Sequence, residues 1–401
     1  MNESRTSVRA PLVAAYYYPG WARDPLRVVR GCAGASEWDL LYDEVAFHAY
    51  PEVRRPITGP VEPDVASVEK EAAAAHASGI DAFLWCWYWD RGRLMMNETL
   101  EMFLQSRLPA GFGYALMWVN KRAHAVLPLR EPLSNASERA RVIATDEDDF
   151  RSMVQHLMRH HWSRPQYLTF QGRPMLLLYR YEFLVRDLGA ERLRRLLSLG
   201  QSLARSAGFP GICYVAILHT PSPSEPSLHN LLASAPEDVV SLREIGFQAL
   251  STYVYLPDWA GPSTQQYSSL IDKRALEWSA LARTHALPLW PSISPGWDAR
   301  PRADPCESDK PRYPWQPQVI GETPRDFSRL LKRWLTYAEQ CGNIPLLPIA
   351  SWNEWSEGHA IAPCDRHGDG LLRTLAEFKA SLPNRHMQAS AIVGPEKAPE
   401  E

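Results

Sequence analysis

Short apolar runs alternate with longer segments of helical period along most of the chain. The runs are rich in β-branched and aromatic residues, which is typical of buried parallel strands, and the intervening segments are long enough to be crossover helices. The pattern predicts eight strands, at residues 12–18, 80–87, 112–119, 175–180, 212–218, 247–254, 288–293 and 345–351.

The predicted helices cover residues 62–78, 97–107, 146–162, 187–207, 264–286, 323–341 and 369–381. Only the link between the fifth and sixth strands lacks a long helix. This alternation, with no dinucleotide-binding glycine fingerprint, predicts an α/β fold of one (β/α)8 TIM-type barrel rather than an open doubly wound sheet. An α/β sheet of another kind is the alternative.

One barrel is expected to take up almost the whole chain. Residues 11–382 are predicted to form a single catalytic domain, between flexible tails at 1–10 and 383–401. In such a barrel the loops that follow the strands build the C-terminal face, where active sites lie. Long proline- and aromatic-rich segments of this kind follow the third, fifth and seventh strands, at 120–144, 219–245 and 294–322.

Composition and charge narrow the range of partners. The chain has 401 residues, 45% of them hydrophobic, and a net charge of −3. A nucleic-acid or anionic-membrane partner needs a basic surface, so neither is expected. No window approaches the run of about 20 apolar residues that crosses a bilayer. This small net charge fits small or neutral substrates. The sequence does not predict the oligomeric state.

The cysteines and histidines give no sign of a metal or redox centre. Six cysteines are scattered without a CxxC pair, so we interpret them as reduced structural thiols. His156 and His160 have the spacing of a helical metal site but lack an acidic HExxH context, and a solvated helix face is expected there. No metal or cofactor is predicted. The polar N-terminus lacks the apolar core of a signal peptide, which favours a cytoplasmic location.

Aromatic residues gather where the predicted strands end. Tryptophan and tyrosine offer flat faces on which sugar rings stack, together with a polar group for their hydroxyls, whereas aromatics needed only for packing should be spread along the strands. The predicted substrate-binding residues, including polar neighbours, are Tyr17, Tyr18, Trp21, Trp87, Tyr88, Trp89, Trp118, Asn120, Tyr179, Arg180, Tyr253, Trp297, Asp298, Trp352, Asn353 and Trp355.

Several cationic side chains lie in the same rim segments, and their presence there has two interpretations. An anionic sugar or a phosphate would account for them, and solvated loops would do so equally well. Besides Arg180, these residues are Lys121, Arg122, His124, Arg300 and Arg302.

Glu354 and Glu357 are the predicted catalytic pair, directly after the eighth strand. On a continuing strand they would face opposite sides, so both reach one site only if the chain turns, which Gly358 makes plausible. A carboxylic acid among tryptophans has a raised pKa and can donate a proton, while a better-solvated partner stays ionised. Glycoside cleavage needs one carboxyl group that donates a proton and one that is ionised. The alternative, two surface or capping glutamates, is disfavoured by the apolar strand and the flanking tryptophans.

These segments resemble the glycoside hydrolase family 99-like, or WbsX-like, proteins over about residues 12–380. The matching elements are Tyr17-Tyr-Pro19, Gly79-Ile-Asp81, Trp118-x-Asn120, Gly172-Arg-Pro174 before Tyr179-Arg180, Pro295-Gly-Trp-Asp298, and Trp352-Asn-Glu-Trp-Ser-Glu-Gly358, the last being the most specific. The chain departs from the family pattern at Trp87, where a histidine is usual, and at Asn120-Lys-Arg122, where Asn-Glu-Asn-Trp is usual.

The resemblance implies a (β/α)8 barrel and a retaining mechanism on α-mannosides. Carried over, Glu354 acts as a base on the substrate 2-hydroxyl and Glu357 as the acid/base on the glycosidic oxygen, through a 1,2-anhydro sugar. The predicted function is a glycoside hydrolase or transglycosylase for α-linked, manno-configured glycans or glycoconjugates. A glycosyltransferase of polysaccharide or glycoconjugate assembly and a non-catalytic glycan-binding barrel are the alternatives.

Overall fold

The computed structural model describes residues 10–132, 140–220, 241–307, 310–342 and 344–382. Apart from Ala10, the two predicted tails lie outside the described residues, so their flexibility stays a prediction. The greater part of the predicted 219–245 loop also lies outside them. Every predicted site residue lies within them.

In the described part of the chain, eight parallel strands form a nearly closed barrel. In spatial order the sheet runs from the seventh strand back to the first and then to the eighth, and a bridge between Ile293 and Ile349 joins the two ends. The predicted (β/α)8 barrel is therefore confirmed. Its strands are β1 (Leu12–Tyr17), β2 (Ala82–Asp90), β3 (Gly113–Trp118), β4 (Arg173–Leu178), β5 (Cys213–Leu218), β6 (Ala249–Thr252), β7 (Leu289–Trp290) and β8 (Leu346–Ile349).

The strands are continuous apolar runs because both of their faces are covered. Every residue of β1, β3 and β5 is buried, one face toward the barrel interior and the other toward the helices. β7 is shorter than the predicted 288–293, since Pro288 and Pro291 flank it and proline has no N–H to give to a ladder.

The longer helices follow the prediction closely. The first begins at Asp64, whose side chain accepts a hydrogen bond from Ser67 N in a capping box. The helices are α1 (Val65–Ala77), α2 (Glu98–Gln105), α3 (Glu147–Leu157), α4 (Tyr181–Leu188), α5 (Ala190–Ser206), α6 (Tyr267–His285), α7 (Pro324–Cys341) and α8 (Gly370–Ser381).

Two predicted helices differ in detail. The helix expected at 187–207 corresponds to α5, whereas α4 lies almost entirely before that range and was not predicted. Gly189, whose φ of 78° is not helical, separates the two helices. The helix expected at 146–162 is α-helical only through Leu157 and ends in a π-helical turn, Met158–Trp162. Within that turn His161 is buried, with Nδ1 3.2 Å from the Tyr114 hydroxyl.

Between β1 and α1 the structure contains short elements that the apolar pattern does not predict. Strands Val28–Val29 and Cys32–Ala33 form a small sheet with Val126–Leu127 from the loop after β3. Helices Trp38–Leu41 and Glu44–Ala49 follow. The remaining short elements are strands Arg93–Met95, Thr169–Phe170, Thr264–Gln266 and Gln318–Ile320, and helical turns Leu242–Ile245, Arg300–Arg302 and Trp355–Glu357.

All six cysteines are free. Among the helices of the described segments, none is long and apolar enough to cross a membrane.

Candidate active site

The chain turns sharply after β8, as the sequence predicts. Trp355–Glu357 form a 3-10 turn, and Gly358 follows with φ 68°. A Cβ at this position would lie 2.6 Å from Asp298 N, so the conformation and the close approach both require glycine. The turn brings Glu354 and Glu357 to one cleft.

One arginine holds both glutamates. Arg302 belongs to the helical turn Arg300–Arg302 in the long loop after β7. Its Nη2 donates to Glu354 Oε1 at 2.6 Å, and its Nη1 donates to Glu357 Oε1. Because the two terminal nitrogens of a guanidinium are fixed relative to each other, this contact also fixes the relative positions of the two carboxylates.

A third carboxylate, Glu37, completes the group. Its Oε2 accepts from Arg302 Nη2 at 2.8 Å and from the Ser356 hydroxyl. Its Oε1 accepts from the Tyr18 hydroxyl and lies 3.3 Å from Arg27 Nη1. Glu37 and Arg27 are only 1% and 2% exposed, so water cannot screen these charges.

The charges of this group balance only when one carboxyl carries a proton. Three carboxylates face two guanidinium groups in a buried site, which leaves one negative charge in excess, and burying an unbalanced charge is costly. Burial raises the pKa of Glu354 well above its ordinary value, the nearby Glu357 and Glu37 raise it further, and Arg302 opposes both effects. Of the three carboxyl groups, Glu354 is the one whose pKa is raised, so the charge balance assigns the proton to it.

Glu357 is ionised. Burial alone would raise its pKa, but Arg302, His359 and Tyr313 outweigh burial and lower it to about 2. The Tyr313 hydroxyl donates to Glu357 Oε1 at 2.8 Å, and His359 Nε2 lies 3.4 Å from Oε2. This order is the reverse of the one expected for a resting Glu357 acid, so the roles of the two glutamates stay a prediction.

The cleft has a volume of about 470 Å³ and lies at the carboxyl ends of the barrel strands. The Tyr253 hydroxyl donates to Glu354 Oε2 at 3.3 Å, and the Trp297 ring stacks on His359 with 5.9 Å between centroids. Aromatic faces thus lie beside the carboxylates. Of the residues predicted from sequence, those that line the cleft are Tyr18, Tyr88, Tyr179, Arg180, Tyr253, Trp297, Glu354 and Glu357.

The other predicted residues do not line it. Side chains alternate along a strand, so every second aromatic of a cluster faces the helices instead of the barrel. The Tyr17 hydroxyl donates to Glu71 of α1 at 2.6 Å, and Trp89 Nε1 donates to Asp149 of α3 at 2.8 Å. The residues outside the cleft lining are Tyr17, Trp21, Trp87, Trp89, Trp118, Asn120, Asp298, Trp352, Asn353 and Trp355.

Two of these residues fasten neighbouring strand ends together. Asn120 donates to Arg180 O at 2.9 Å and accepts from Arg180 N at 3.0 Å. Asn353 does the same for Tyr18, at 3.0 and 2.8 Å. They fix the backbone from which cleft residues project.

Several residues of the cleft and of the charged group beside it escaped the sequence prediction. Glu37 contacts Arg302 across 265 positions of sequence, in a region with no periodic pattern, so nothing local marks it. Arg302 was weighed only as one rim cation among several. Tyr313 and Trp259 line the cleft from loops. His359, which directly follows the predicted motif, lies beside Glu357. In the described part of the chain, no group of three or more His, Cys, Asp or Glu could hold a metal ion.

Comparison with known families places this geometry in context. The model of the family described as "Glycosyltransferase WbsX" matches residues 62–375, well over half of the chain. The chain belongs to this family. The predicted resemblance to WbsX-like proteins is therefore confirmed, and the match includes the β8 turn with both glutamates.

Curated relatives of this WbsX family member are distant. An uncharacterized protein WxcX of Xanthomonas campestris pv. campestris is 25% identical over 347 residues, which cover 80% of this chain and 42% of that protein. WxcX from a second strain is 24% identical over 347 residues, which again cover 80% of this chain and 42% of that protein. The chain thus spans less than half the length of the curated relatives it matches.

Solved structures share the barrel. The family 99 endo-α-mannosidase of Bacteroides thetaiotaomicron superimposes with a TM-score of 0.58 at 14% identity, covering 91% of this chain and 96% of that one. The complex of this enzyme with bis-tris-propane superimposes with a TM-score of 0.55 at 15% identity, covering 91% of this chain and 95% of that one. A glycoside hydrolase-like protein superimposes with a TM-score of 0.58 at 14% identity, covering 94% of this chain and 96% of that one. At these identities the likeness establishes the fold.

Proposed function

We propose that this WbsX family member is a glycoside hydrolase, or a transglycosylase, for α-linked, manno-configured glycans or glycoconjugates. The observation that carries the proposal is the pair of buried carboxylates, Glu354 and Glu357, held on one guanidinium beside an aromatic cleft. Glycoside cleavage requires two carboxyl groups with different proton affinities, and these two have them. The endo-α-mannosidase barrel supports the choice of sugar.

In the proposed reaction Glu354 removes the proton from the 2-hydroxyl of the sugar. The freed oxygen attacks the anomeric carbon, the bond to the leaving oxygen breaks, and Glu357 supplies the proton that this oxygen needs. The product of this step is a 1,2-anhydro sugar. Water, or the hydroxyl of an acceptor, then opens it with Glu357 as base and Glu354 returning the proton, so the anomeric configuration is retained.

Substrate binding must first move the single proton from Glu354 to Glu357. A sugar hydroxyl that donates to Glu354 stabilises its ionised form, and the ring excludes water from Glu357, which raises the pKa of that carboxyl. Arg302 touches both Oε1 atoms and can follow the negative charge from one to the other. The proton order in the structure and the roles proposed for the substrate complex are thus compatible.

The test compares two leaving groups in two matched variants. With an α-manno-oligosaccharide, Glu354→Gln and Glu357→Gln should each lower kcat by about 10³-fold or more, in the range of general acid–base catalysis combined with charge stabilisation. A dinitrophenyl mannoside needs no proton on its leaving oxygen. With this substrate Glu357→Gln should therefore recover the rate of the first step, whereas Glu354→Gln should not. Turnover by both variants at the parent rate would refute the site.

A 2-deoxy analogue tests the proposed intermediate. Without a 2-hydroxyl no anhydro sugar can form, so the analogue should bind but not react. Its cleavage at a rate near that of the parent sugar would show that the substrate is not the nucleophile.

The family description supports a second candidate, a glycosyltransferase of polysaccharide or glycoconjugate assembly. Incubation of a glycan acceptor with and without nucleotide sugars separates the two. Product that forms only with an activated donor would replace the hydrolase proposal, and glycan binding without turnover under either condition would favour the non-catalytic barrel. A cytoplasmic location stays part of the proposal.

A further inference from the structure

The turn after β8 places a third titratable side chain beside the glutamate pair. His359 directly follows Gly358, and its side chain is completely buried. Its backbone closes the turn, because its N–H donates to Glu354 O at 3.2 Å and its carbonyl accepts from Ser351 N at 2.8 Å. The position of His359 is therefore tied to the turn that brings Glu354 and Glu357 to the cleft.

Two aromatic rings hold the imidazole in place. The Trp297 ring lies nearly parallel to it, with 5.9 Å between centroids and 7° between planes, and the Tyr253 ring is perpendicular to it, at 5.6 Å. In this orientation His359 Nε2 lies 3.4 Å from Glu357 Oε2. The described residues that line the cleft do not include His359, so it can act on a ligand only through Glu357.

The two oxygens of Glu357 have different partners. Oε1 accepts from Arg302 Nη1 and, at 2.8 Å, from the Tyr313 hydroxyl, whereas Oε2 faces His359 Nε2. A guanidinium can only donate, so a proton on Oε1 would face a cation that already donates to that oxygen. The proton that Glu357 exchanges in the proposed reaction therefore belongs on Oε2.

His359 is a neutral ring that donates from Nε2. Burial lowers the pKa of its imidazole and outweighs the opposing effect of Glu357, and the charges of Arg302 and Arg54 lower the pKa further. Nδ1 is buried and has no hydrogen-bond partner among the residues that the structure describes. A proton on Nδ1 would be a buried donor without an acceptor, while ionised Glu357 can only accept, so the ring proton belongs on Nε2.

This donor stabilises one protonation state of Glu357. While Glu357 is ionised, the Nε2–H group donates to a charged oxygen, and once Oε2 carries a proton that charge is gone. A hydrogen bond to the charged form of an acid favours that form, so the contact with His359 makes Glu357 a stronger acid. At 3.4 Å the contact is long, which limits the size of the effect.

We infer that His359 is a positioning residue of the proposed reaction, which orients Glu357 through Oε2 and makes it a stronger acid toward the glycosidic oxygen. As the bond between the anomeric carbon and that oxygen breaks, the proton leaves Oε2 for the oxygen, and the ionised carboxyl then accepts from His359 Nε2. In the second step Oε2 takes a proton from water or from an acceptor hydroxyl. The inference rests on the proposed function, since it concerns the proton that Glu357 exchanges there.

The neighbouring groups leave the pH–rate profile to the two glutamates. Burial raises the pKa of the neighbouring cysteine and tyrosines, which therefore keep their protons, and the arginines stay charged. Asp298, from the loop after β7, is paired with Arg300 at 2.7 Å. The titratable and charged groups around Glu357 and His359 are Arg54, Cys86, Tyr253, Arg302, Tyr313 and Glu354.

Two matched variants test the inference. His359→Phe keeps a ring between Trp297 and Tyr253 but has no donor, whereas His359→Gln loses the ring and keeps an N–H group at about the reach of Nε2. In single turnover of an α-manno-oligosaccharide, His359→Phe should slow the first step about three- to tenfold, and His359→Gln should recover most of the rate. KM should be unchanged, because His359 does not line the cleft.

The pH–rate profile gives a second readout. Its basic limb reports the loss of the Glu357 proton in the substrate complex. Without the donor the pKa of Glu357 is higher, so the limb should move to higher pH in His359→Phe and stay near the parent position in His359→Gln. A parent rate and an unmoved limb in His359→Phe would overturn the inference.

A dinitrophenyl mannoside separates positioning from packing. Its leaving oxygen needs no proton, so the burst of dinitrophenolate should be as fast in His359→Phe as in the parent. Equal losses with this substrate and with the oligosaccharide would mean that the ring only packs, and so would a His359→Phe protein that is more active than His359→Gln on the oligosaccharide. Either result would overturn the inference.

The acid side of the stability curve gives a readout without substrate. The lowered pKa of Glu357 contributes stability that is lost as the pH falls from 4.5 through about 2. Both variants lack the imidazole, so its own titration cancels between them. His359→Phe should show the smaller fall in Tm, because the pKa of Glu357 is closer to 4.5 without the donor. Equal falls in the two variants would contradict the inferred contact.

The two proposals fail separately. If α-mannosides are cleaved and the two variants behave alike in every readout, only the role of His359 is refuted. If no glycan is ever cleaved or transferred but the acid-side curves differ as expected, the proposed reaction is refuted and the effect of His359 on Glu357 stands.

Discussion

The inner and outer faces of the barrel wall use the same kinds of side chain for different purposes. On β2, Trp85, Trp87 and Trp89 face the helices, where Trp87 stacks on Trp89 and on His156. Tyr88, between two of them, lines the cleft. Adjacent residues of one aromatic cluster thus belong to two environments, one dry and one open to a ligand.

The difference shows what an aromatic cluster at a strand end can and cannot indicate. Its position along the strand places it at the rim, but the two-residue alternation decides whether each ring faces the cleft. On the outer face the rings are packing elements whose loss should cost stability. On the inner face, loss of a ring should cost binding or rate.

Arg302→Lys should have the largest effect on the inner face. A lysine keeps the charge but cannot contact Glu354 and Glu357 with two fixed nitrogens, so the pair loses its relative position. We expect kcat to fall about 10²- to 10³-fold, as when one preorganised charge contact is removed from a site. Single-turnover kinetics with an α-manno-oligosaccharide measures this.

Circular dichroism and a thermal melt are the controls, since Arg302 also balances the buried charge of Glu37. A folded Arg302→Lys protein that keeps the parent rate would mean that positioning by Arg302 is unimportant.

Trp87→Ala and Tyr88→Ala form a matched pair across the wall. Removing the buried Trp87 ring leaves a dry cavity and should lower the free energy of unfolding by about 3–5 kcal/mol. The rate per folded molecule should remain. Tyr88→Ala opens onto the cleft, so it should cost less stability and should raise KM about tenfold through lost stacking on the sugar.

Denaturant unfolding and steady-state kinetics of both variants measure the two effects. If Trp87→Ala raised KM as much as Tyr88→Ala did, the comparison between the two faces would break down.

The barrel could be predicted because its signal is local and repeated. Each strand is an apolar run and each helix a segment of its own period, so eight repetitions identify the architecture even where single boundaries shift. The short helix α4 was not predicted, since it follows β4 directly and the predicted helix begins only at residue 187, near the Gly189 that separates α4 from α5.

The site could be predicted only where its residues follow a strand. Glu354 and Glu357 follow β8 and both line the cleft, while their catalytic roles stay a prediction. Glu37 and Arg302 lie in segments without periodicity, and their contact depends on the folded positions of two loops 265 residues apart. Among the aromatics, a consistent use of alternation would have separated Tyr88 from Trp87, since the strand itself was predicted.

Tyr253→Phe should have a moderate effect on the inner face alone. The change removes the hydroxyl that donates to Glu354 Oε2 at 3.3 Å but keeps the ring. Loss of one hydrogen bond to a carboxyl costs about 1–3 kcal/mol, so we expect kcat to fall by about tenfold with the melting temperature nearly unchanged. A large fall in Tm with an unchanged kcat would place Tyr253 among the packing residues instead.

The smallest effect expected is a pH dependence of stability that belongs to Glu354. Its pKa is raised in the folded protein, so its contribution to stability is full below the ordinary value of 4.5, declines above it and is lost as the pH rises through the folded pKa. Glu357, with a pKa of about 2, has the opposite sign, and its contribution is lost only as the pH falls from 4.5 through that value. The two glutamates therefore act in different pH windows.

Calorimetric Tm values across the pH range, compared between the parent and Glu354→Gln, isolate the first window. Glutamine cannot ionise. The fall in Tm above pH 4.5 should therefore be smaller in the variant, by the amount that Glu354 contributes in the parent. Glu71, whose burial raises its pKa to about 7, declines in the same window but is present in both proteins, so it cancels in the difference. Glu357→Gln removes a negative charge that helps to raise the pKa of Glu354, so it should make the Glu354 decline smaller as well as alter the acid side. Parallel curves for the parent and Glu354→Gln would mean that Glu354 does not hold the proton of the buried group, and the charge balance proposed for the three carboxylates and two arginines would have to place it elsewhere.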